Sequence, residues 1–169
     1  MKRLAVLMTL LAPTALHAQE TTTVQIPPVV AQIPTAICAE RCLTPIEAVT
    51  FASQLGKNGG VASDFGMTVK AVGFQQGRFF LNSELDYRDR NCLTVVVPAA
   101  VMAKLTGTTD LEAVKKHYVG TRIGVRGVAQ QVRVDFLVEG KVTGKYYYQI
   151  HLQVFTPRNL INLPNESIS

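Results

Sequence analysis

The sequence has few of the residue combinations that an enzyme active site needs. No Ser–His–Asp arrangement is visible around its three histidines: His17 lies in the N-terminal leader, His117 ends a predicted helix, and His151 lies on the outward face of a predicted strand. The pair Gly59-Gly60 lacks the spacing of a loop that cradles phosphate and is typical of a flexible link. We therefore expect no catalytic activity, no cofactor and no metal.

Cysteine is also scarce, and its pattern excludes the common redox and zinc motifs. Cys38 and Cys42 are too far apart for the usual two-cysteine redox motif, and no second Cys/His pair completes a zinc site. In an oxidising compartment we predict a disulfide between Cys38 and Cys42, with Cys92 as a buried thiol in a strand. The alternative is that Cys92 pairs with Cys38 or Cys42.

Long apolar runs are absent after the first residues. Met1-Lys2-Arg3 is a short basic stretch, an apolar run follows over 4–12, and Leu16-His17-Ala18 ends on a small residue. This pattern predicts a signal peptide over 1–18 and a periplasmic or secreted protein. The apolar run is about half of the roughly 20 residues that a membrane span requires, so we expect no span in the mature chain.

Charge of one sign is not in large excess. Without Lys2 and Arg3, the 17 basic residues become 15 against 12 acidic ones, a net charge of +3. A surface that is this mildly basic does not by itself indicate nucleic-acid binding.

The remaining sequence divides into regions of different composition. After the leader, 1–18, an extended proline-containing arm is predicted over 19–43. A helix and its link follow over 44–63, and a β-rich domain over 64–156. A polar tail, 157–169, ends the chain.

The helix is predicted over 45–55. Thr44 is a suitable N-cap, Pro45 suits the first helical position, and Glu47 completes a capping box. The apolar stripe expected to cover the β-rich domain consists of Ile46, Val49, Phe51 and Leu55.

Three short strands in a row are predicted over 67–74, 78–83 and 92–97. They are rich in Val, Phe, Thr and Leu, which favour strands. A charged loop, 84–91, connects the second strand to the third. This three-stranded meander needs further strands or a helix to cover its apolar face.

The second half of the domain supplies both. A helical segment is predicted within 99–118, followed by a strand over 121–128 whose alternation continues to Phe136. A turn is predicted over 139–145 and a last strand over 146–155.

The order strand, strand, strand, helix, strand, strand resembles the OB-fold. Two stretches carry a resemblance to small bacterial OB-fold domains: Phe80-Leu81-Asn82-Ser83-Glu84, and His117-Tyr118-Val119-Gly120 before the fourth strand. The resemblance covers about residues 64–156. It implies an all-β fold, a five-stranded Greek-key barrel with a helical segment between strands 3 and 4. By analogy of fold it also implies binding of oligonucleotides or oligosaccharides across strands 2 and 3.

Some OB-fold proteins cut nucleic acid, and metal-dependent cleavage needs a cluster of carboxylates. Glu84, Asp86 and Asp89 lie with Arg88 and Arg90 in one loop. A solvated loop with charges of both signs is the simpler interpretation. No carboxylate is predicted at an interior-facing position of the barrel strands, where such an enzyme would hold its metal, with the exception of Asp135 at the far end of the fourth strand.

The residues fit binding better than catalysis. Single-stranded nucleic acid is bound through aromatic platforms and cations. The predicted ligand-binding residues are Lys70, Phe74, Arg78, Phe80, Tyr87, Arg88, Arg122 and Arg126. Arg122 and Arg126 are two alternation steps apart, which predicts that both lie on the outward face of the fourth strand. The alternative for Phe74 and Phe80 is that they pack in the core.

Two functions follow as expectations. The first is an exported, non-catalytic OB-fold module that binds single-stranded nucleic acid, another linear polyanion or a glycan. The second is an envelope protein that docks on a protein partner through the barrel and the N-terminal helix.

Overall fold

The structure is a computed structural model that describes residues 37–38 and 41–164, all within one compact unit spanning 34–169. The predicted leader, most of the predicted arm and residues 165–169 lie outside the described residues. None of the described helices is long and apolar enough to cross a membrane.

The first predicted helix is confirmed, since α1 spans Pro45–Leu55. Its capping box forms in full: Thr44 N donates to Glu47 Oε2 at 2.8 Å, and Glu47 N donates to Thr44 Oγ1 at 3.3 Å. Gly56 follows the helix with φ 62°, a left-handed value that glycine adopts at little cost.

The side chains that α1 buries are small, which corrects the predicted apolar stripe. Ala48 and Ala52 are fully buried in the core cluster, whereas Ile46, Phe51 and Leu55 are 64%, 43% and 53% exposed. The alanines allow the helix backbone to approach the sheet closely. Three large apolar side chains are therefore left at the surface of the described unit.

Seven strands form one mixed sheet. In chain order they are β1 (Gly60–Thr68), β2 (Ala71–Gln75), β3 (Arg78–Asn82), β4 (Leu93–Pro98), β5 (Arg122–Val138), β6 (Lys141–Gln153) and β7 (Leu160–Asn162). Their order across the sheet is β1-β5-β6-β4-β3-β2, and β7 also pairs with β5. The pair β4 and β6 is parallel, and the other pairs are antiparallel.

The strands do not form the closed five-stranded barrel that the resemblance implied. The predicted strand 67–74 is interrupted at Val69 and Lys70, and its two parts pair with different neighbours. Val69 N donates to Thr121 O at 3.0 Å, whereas Lys70 N donates to Asn82 O at 2.8 Å. The chain thus changes partner at this point. As a result β1 and β2 stand at opposite ends of the strand order, and the sheet is open.

Two strands lie where the sequence predicted a link and a polar tail. β1 begins at Gly60 and pairs along its whole length with β5, from Gly60 opposite Gln130 to Thr68 opposite Arg122. β7 also pairs with β5, and its Leu160 is only 3% exposed. Both strands pair with β5, which is distant from them in sequence. The local pattern of glycine, serine and asparagine does not reveal this pairing.

β5 and β6 form one long hairpin in place of the shorter predicted strands 121–128 and 146–155. They have 17 and 13 residues and are joined by Glu139 and Gly140, with φ values of 50° and 76°. Positive φ at both positions is what a two-residue hairpin turn of the favoured type requires.

The helical segment predicted within 99–118 consists of α2 (Ala99–Thr106) and α3 (Leu111–Tyr118). Asp110 caps α3, because its Oδ1 accepts from Ala113 N at 2.8 Å. Met102 of α2 and Val114 and Tyr118 of α3 are buried in the core cluster. The two helices therefore cover the core side of the sheet.

The disulfide prediction is confirmed. Cys38 and Cys42 are joined, with Cα atoms 4.8 Å apart, and Cys92 is a free thiol that is 3% exposed. The disulfide loop crosses β1 closely, since a Cβ atom at Gly66 would lie 2.8 Å from the Cβ of Cys42. Glycine at position 66 leaves the space that the loop occupies.

Candidate binding groove

One face of the sheet carries a groove of about 550 Å³. Residues of β2 to β6 and of the loop 84–91 line it. They are Gly73, Phe74, Gln75, Phe80, Asn82, Tyr87, Thr94, Val134, Tyr147, Gln149 and His151. This surface is called the groove below.

Strand alternation decides which side chains reach the groove. Phe79 and Leu81 of β3 are fully buried in the core, so Phe80 and Asn82 point to the opposite face. β4 and β6 follow the same rule and contribute Thr94, Gln149 and His151. The resemblance implied binding across the second and third predicted strands. These correspond to β3 and β4, and both lie at the groove.

A row of polar side chains crosses the groove face at one level of the sheet. Asn82 lies opposite Thr94, Thr94 opposite His151, and His151 opposite Gln130. Thr94 Oγ1 donates to Asn82 Oδ1 at 2.9 Å, and the two residues are only 2% and 5% exposed. Because a buried polar group is costly without a hydrogen bond, this bond fixes both side chains.

Gln149 connects three parts of the groove. Its Nε2 donates to the main-chain oxygen of Tyr87 at 2.8 Å and contacts the Tyr147 hydroxyl at 3.4 Å. Its Oε1 lies 2.8 Å from His151 Nε2. Gln149 therefore ties the loop 84–91 to β6 and holds the imidazole of His151.

Aromatic rings surround these polar groups. The ring of Phe80 meets the ring of His151 edge-on, with centroids 6.3 Å apart. Tyr87 is 44% exposed on its loop, and the Arg88 guanidinium lies 5.0 Å from the centre of the Tyr87 ring. Tyr147 supplies a third aromatic ring from β6. The groove therefore offers aromatic surface together with hydrogen-bonding side chains.

Gly73 keeps the groove open beside Phe80. The two residues are paired across β2 and β3. A Cβ atom at Gly73 would have no heavy atom within 4 Å apart from its chain neighbours. The missing side chain thus leaves space over the sheet rather than relieving a clash.

The lining contains no Asp, Glu, Lys or Arg among the residues that the structure describes. Burial lowers the pKa of His151 to about 4, so its imidazole is uncharged at neutral pH. The pKa of Tyr147 is raised, chiefly by burial. The residues that line the groove are therefore uncharged at neutral pH.

Three of the eight predicted ligand-binding residues line the groove: Phe74, Phe80 and Tyr87. Phe74 combines the two predicted alternatives, a ligand-binding surface and core packing. It is 45% exposed, and the centre of its ring lies 4.6 Å from that of the core residue Phe79. Arg88 lies at the rim, beside Tyr87.

Four predicted cations lie elsewhere. Lys70 pairs with Glu84 at 2.6 Å, and Arg78 is exposed at the start of β3. Arg122 and Arg126 lie on the half of β5 that pairs with β1. The structure does not bring these four cations into the groove.

Arg126, predicted as a ligand-binding residue, forms an ion pair within the fold. It donates to Asp64 through two bonds, Nε to Oδ1 at 2.6 Å and Nη2 to Oδ2 at 2.7 Å. Asp64 Oδ2 also accepts from Cys38 N at 2.8 Å. Arg126, by hydrogen bonding above all, lowers the pKa of Asp64. This partly buried pair joins β5, β1 and the disulfide loop.

The acidic loop is held by its own turns. Asp86 Oδ1 accepts from Arg88 N at 2.9 Å, and Asp89 Oδ1 accepts from Asn91 N at 2.8 Å. Asp135 pairs with Arg133 at 2.6 Å. Within the described part of the chain, no three His, Cys, Asp or Glu side chains are grouped so that they could hold a metal ion.

Sequence reasoning missed the polar part of the groove. His151 lies on the face of β6 opposite the core, as alternation predicts, but both His151 and Gln149 are half-buried there. Asn82 and Thr94 are not among the residues that the sequence predicts for the site. Each is a polar side chain in an otherwise apolar strand. That the two lie opposite each other can be recognised only once the register of β3 with β4 is known.

Comparisons with known proteins identify no family. No protein-family model matches the sequence, and no curated protein matches it. Among solved structures, the chain is similar to an aspartyl-tRNA synthetase from Entamoeba histolytica, with 13% identity and a TM-score of 0.35. The match covers 68% of this chain and 22% of the synthetase. A likeness at this level supports no statement about function.

Proposed function

We propose that this chain is an exported, non-catalytic binding protein that takes an extended ligand in the groove. The observation that carries the proposal is the groove itself, where Phe80, Tyr87 and Tyr147 surround the hydrogen-bonded side chains of Gln149 and His151. Stacking surface combined with fixed polar groups is what recognises a chain of ring-shaped units, whether bases or sugars.

The strand order supports an OB-type interpretation of this site. β1 and β2 are separated by only Val69 and Lys70, so together they correspond to one bent strand. With that correspondence, five strands remain before β7, the helices lie between the third and the fourth, and the third and fifth pair in parallel. OB-folds bind oligonucleotides and oligosaccharides on the face where the groove lies.

Export is supported by two features. The sequence over 1–18 has the pattern of a signal peptide. The disulfide between Cys38 and Cys42 is of a kind that persists in oxidising compartments. We propose a periplasmic or secreted location on these grounds.

The test is ligand binding by the mature protein, purified after export, with a matched pair of groove variants. Tyr147 and Tyr148 are neighbours on β6, but Tyr147 lines the groove, whereas the ring of Tyr148 meets that of Tyr146 edge-on with centroids 5.6 Å apart. We expect Tyr147→Ala to weaken binding of an oligothymidine or a linear oligosaccharide about tenfold or more, and Tyr148→Ala to leave it unchanged. Equal effects of the two substitutions would place binding outside the groove.

Docking on an envelope protein is the second candidate. It is supported by the three large apolar side chains that α1 leaves exposed, Ile46, Phe51 and Leu55. Replacing all three with Gln should abolish a stoichiometric complex in exported protein that has been crosslinked in intact cells. Replacing Tyr147 with Ala should leave such a complex intact.

A further inference from the structure

The hydrogen bonds of the groove fix which of its atoms can donate and which can accept. Gln149 Nε2 donates to the main-chain oxygen of Tyr87 at 2.8 Å, so its Oε1 is the atom that faces His151 Nε2. An uncharged imidazole that contacts a carbonyl oxygen through Nε2 carries its proton there. The proton of His151 is therefore on Nε2, and Nδ1 has a lone pair.

His151 Nδ1 is an acceptor that the protein leaves available. No hydrogen bond joins it to a donor among the described residues. No buried side-chain nitrogen or oxygen of those residues lacks a partner, so Nδ1 is reached by solvent. A ligand in the groove can satisfy this atom only with a hydroxyl or an N–H group, because an ionised phosphate or carboxylate has no proton to donate.

Two of the predicted ligand-binding cations already contact other side chains. Lys70 Nζ lies 2.6 Å from Glu84 Oε2, and the Arg88 guanidinium lies over the ring of Tyr87. A polyanion such as a nucleic acid binds through cations that neutralise its phosphates. Without such cations, the phosphates lose their hydration on binding, and the lost hydration costs free energy. The lining of the groove supplies aromatic rings, amides, hydroxyls and an imidazole instead.

We propose that the groove selects an uncharged glycan rather than a nucleic acid, an inference that rests on the proposed function. The apolar faces of the sugar rings pack on Phe80 and Tyr147, and a sugar hydroxyl donates to His151 Nδ1. The groove volume of about 550 Å³ lies within the roughly 300–1,000 Å³ of sites that bind small ligands or parts of larger ones. An uncharged, polyhydroxylated chain satisfies both the stacking surface and the available acceptor.

Titration calorimetry of the exported protein tests this inference. The probes are three neutral hexasaccharides, namely of β-1,4-glucose, α-1,4-glucose and β-1,4-N-acetylglucosamine, and an oligothymidine, each at about 50 and about 200 mM salt. We expect one hexasaccharide to bind with an affinity that changes less than about twofold between the two salt concentrations, and the oligothymidine to bind at least about tenfold more weakly.

Three substitutions locate the interaction. Tyr147→Ala and His151→Phe, which removes the acceptor and keeps an aromatic ring, should each weaken hexasaccharide binding about tenfold. Tyr148→Ala, on the opposite face, should not. Thermal unfolding of each variant verifies that it is folded.

The outcomes distinguish failure of the glycan inference from failure of the proposed function. Tight, salt-dependent binding of oligothymidine that Tyr147→Ala removes would overturn the glycan inference and leave the groove as the binding site. Failure of all four probes to bind, or binding that Tyr147→Ala does not change, would overturn the proposed function as well.

Discussion

Gln149 and Tyr87 are 62 residues apart in sequence, and a 2.8 Å hydrogen bond from Gln149 Nε2 to the main-chain oxygen of Tyr87 joins them. Through this bond β6 holds the charged loop 84–91 beside the groove. The same amide holds the imidazole of His151 through its oxygen. The position of the loop and the orientation of the imidazole therefore depend on one side chain.

Gln149→Leu should release the loop. The substitution keeps a similar volume but leaves the Tyr87 oxygen and the His151 Nε2 proton without their partner, at a cost of about 1 kcal/mol in the free energy of unfolding. Amide hydrogen exchange over 85–91 should become faster than in the wild type. Gln153→Leu, at the exposed end of β6, is the matched control. Unchanged exchange in the Gln149 variant would show that other contacts hold the loop.

Stability should decrease in mild acid because of His151. Its pKa is about 4 in the folded protein against an ordinary 6.5, so the unfolded chain takes up a proton over an interval in which the folded one does not. The free energy of unfolding should therefore fall as the pH drops from about 6.5 towards 4, by up to about 3 kcal/mol. Above pH 6.5 this contribution is constant. Denaturant titrations across this range measure it.

His151→Gln should flatten the pH dependence in that interval. The control is His117→Gln, which changes an exposed histidine at the end of α3. An unaltered slope in the His151 variant would mean that another group produces the acid sensitivity.

The pair of Asp64 and Arg126 should contribute more to stability than the pair of Asp135 and Arg133. Asp64 has 15% of its side chain exposed and also accepts from Cys38 N, whereas Asp135 has 34% exposed. We expect Asp64→Asn to cost about 2 kcal/mol and Asp135→Asn less than about 1 kcal/mol, measured by chemical denaturation at neutral pH. Because the pKa of Asp64 is lowered on folding, its contribution exists above the unfolded pKa and is lost as the pH falls below it. Similar costs for the two substitutions would refute this ranking.

Two glycines should respond differently to the same substitution. A Cβ atom at Gly66 would lie 2.8 Å from the Cβ of Cys42, whereas one at Gly73 would meet no neighbour within 4 Å. Gly66→Ala should therefore destabilise the fold by about 1–3 kcal/mol through forced displacement of the disulfide loop. Gly73→Ala should change stability by less than about 0.5 kcal/mol. Thermal unfolding compares the two, and a harmless Gly66→Ala would mean that the loop moves away freely.

Features that depend on neighbouring residues could be predicted from the sequence. The helix of Pro45–Leu55 starts at Thr44, because the cap and its partner Glu47 are three residues apart. The disulfide of Cys38 and Cys42 was predicted as one of two alternatives, and the structure decides against a bridge to Cys92. β3 and β4 follow from alternation and composition.

Features that depend on distant partners were decided by the tertiary structure. Alternation shows that Arg126 and His151 leave the core face, but not what lies beside them. Arg126 meets Asp64, 62 residues away, and His151 meets Thr94 and Gln149 in the groove. The register of β4 with β6 and of β1 with β5 determines these neighbours, and no local preference encodes it. The sequence by itself thus determined the helix start and the strand faces. The tertiary structure decided which cysteines pair, and long-range strand pairing decided the open sheet and which polar side chains share the groove.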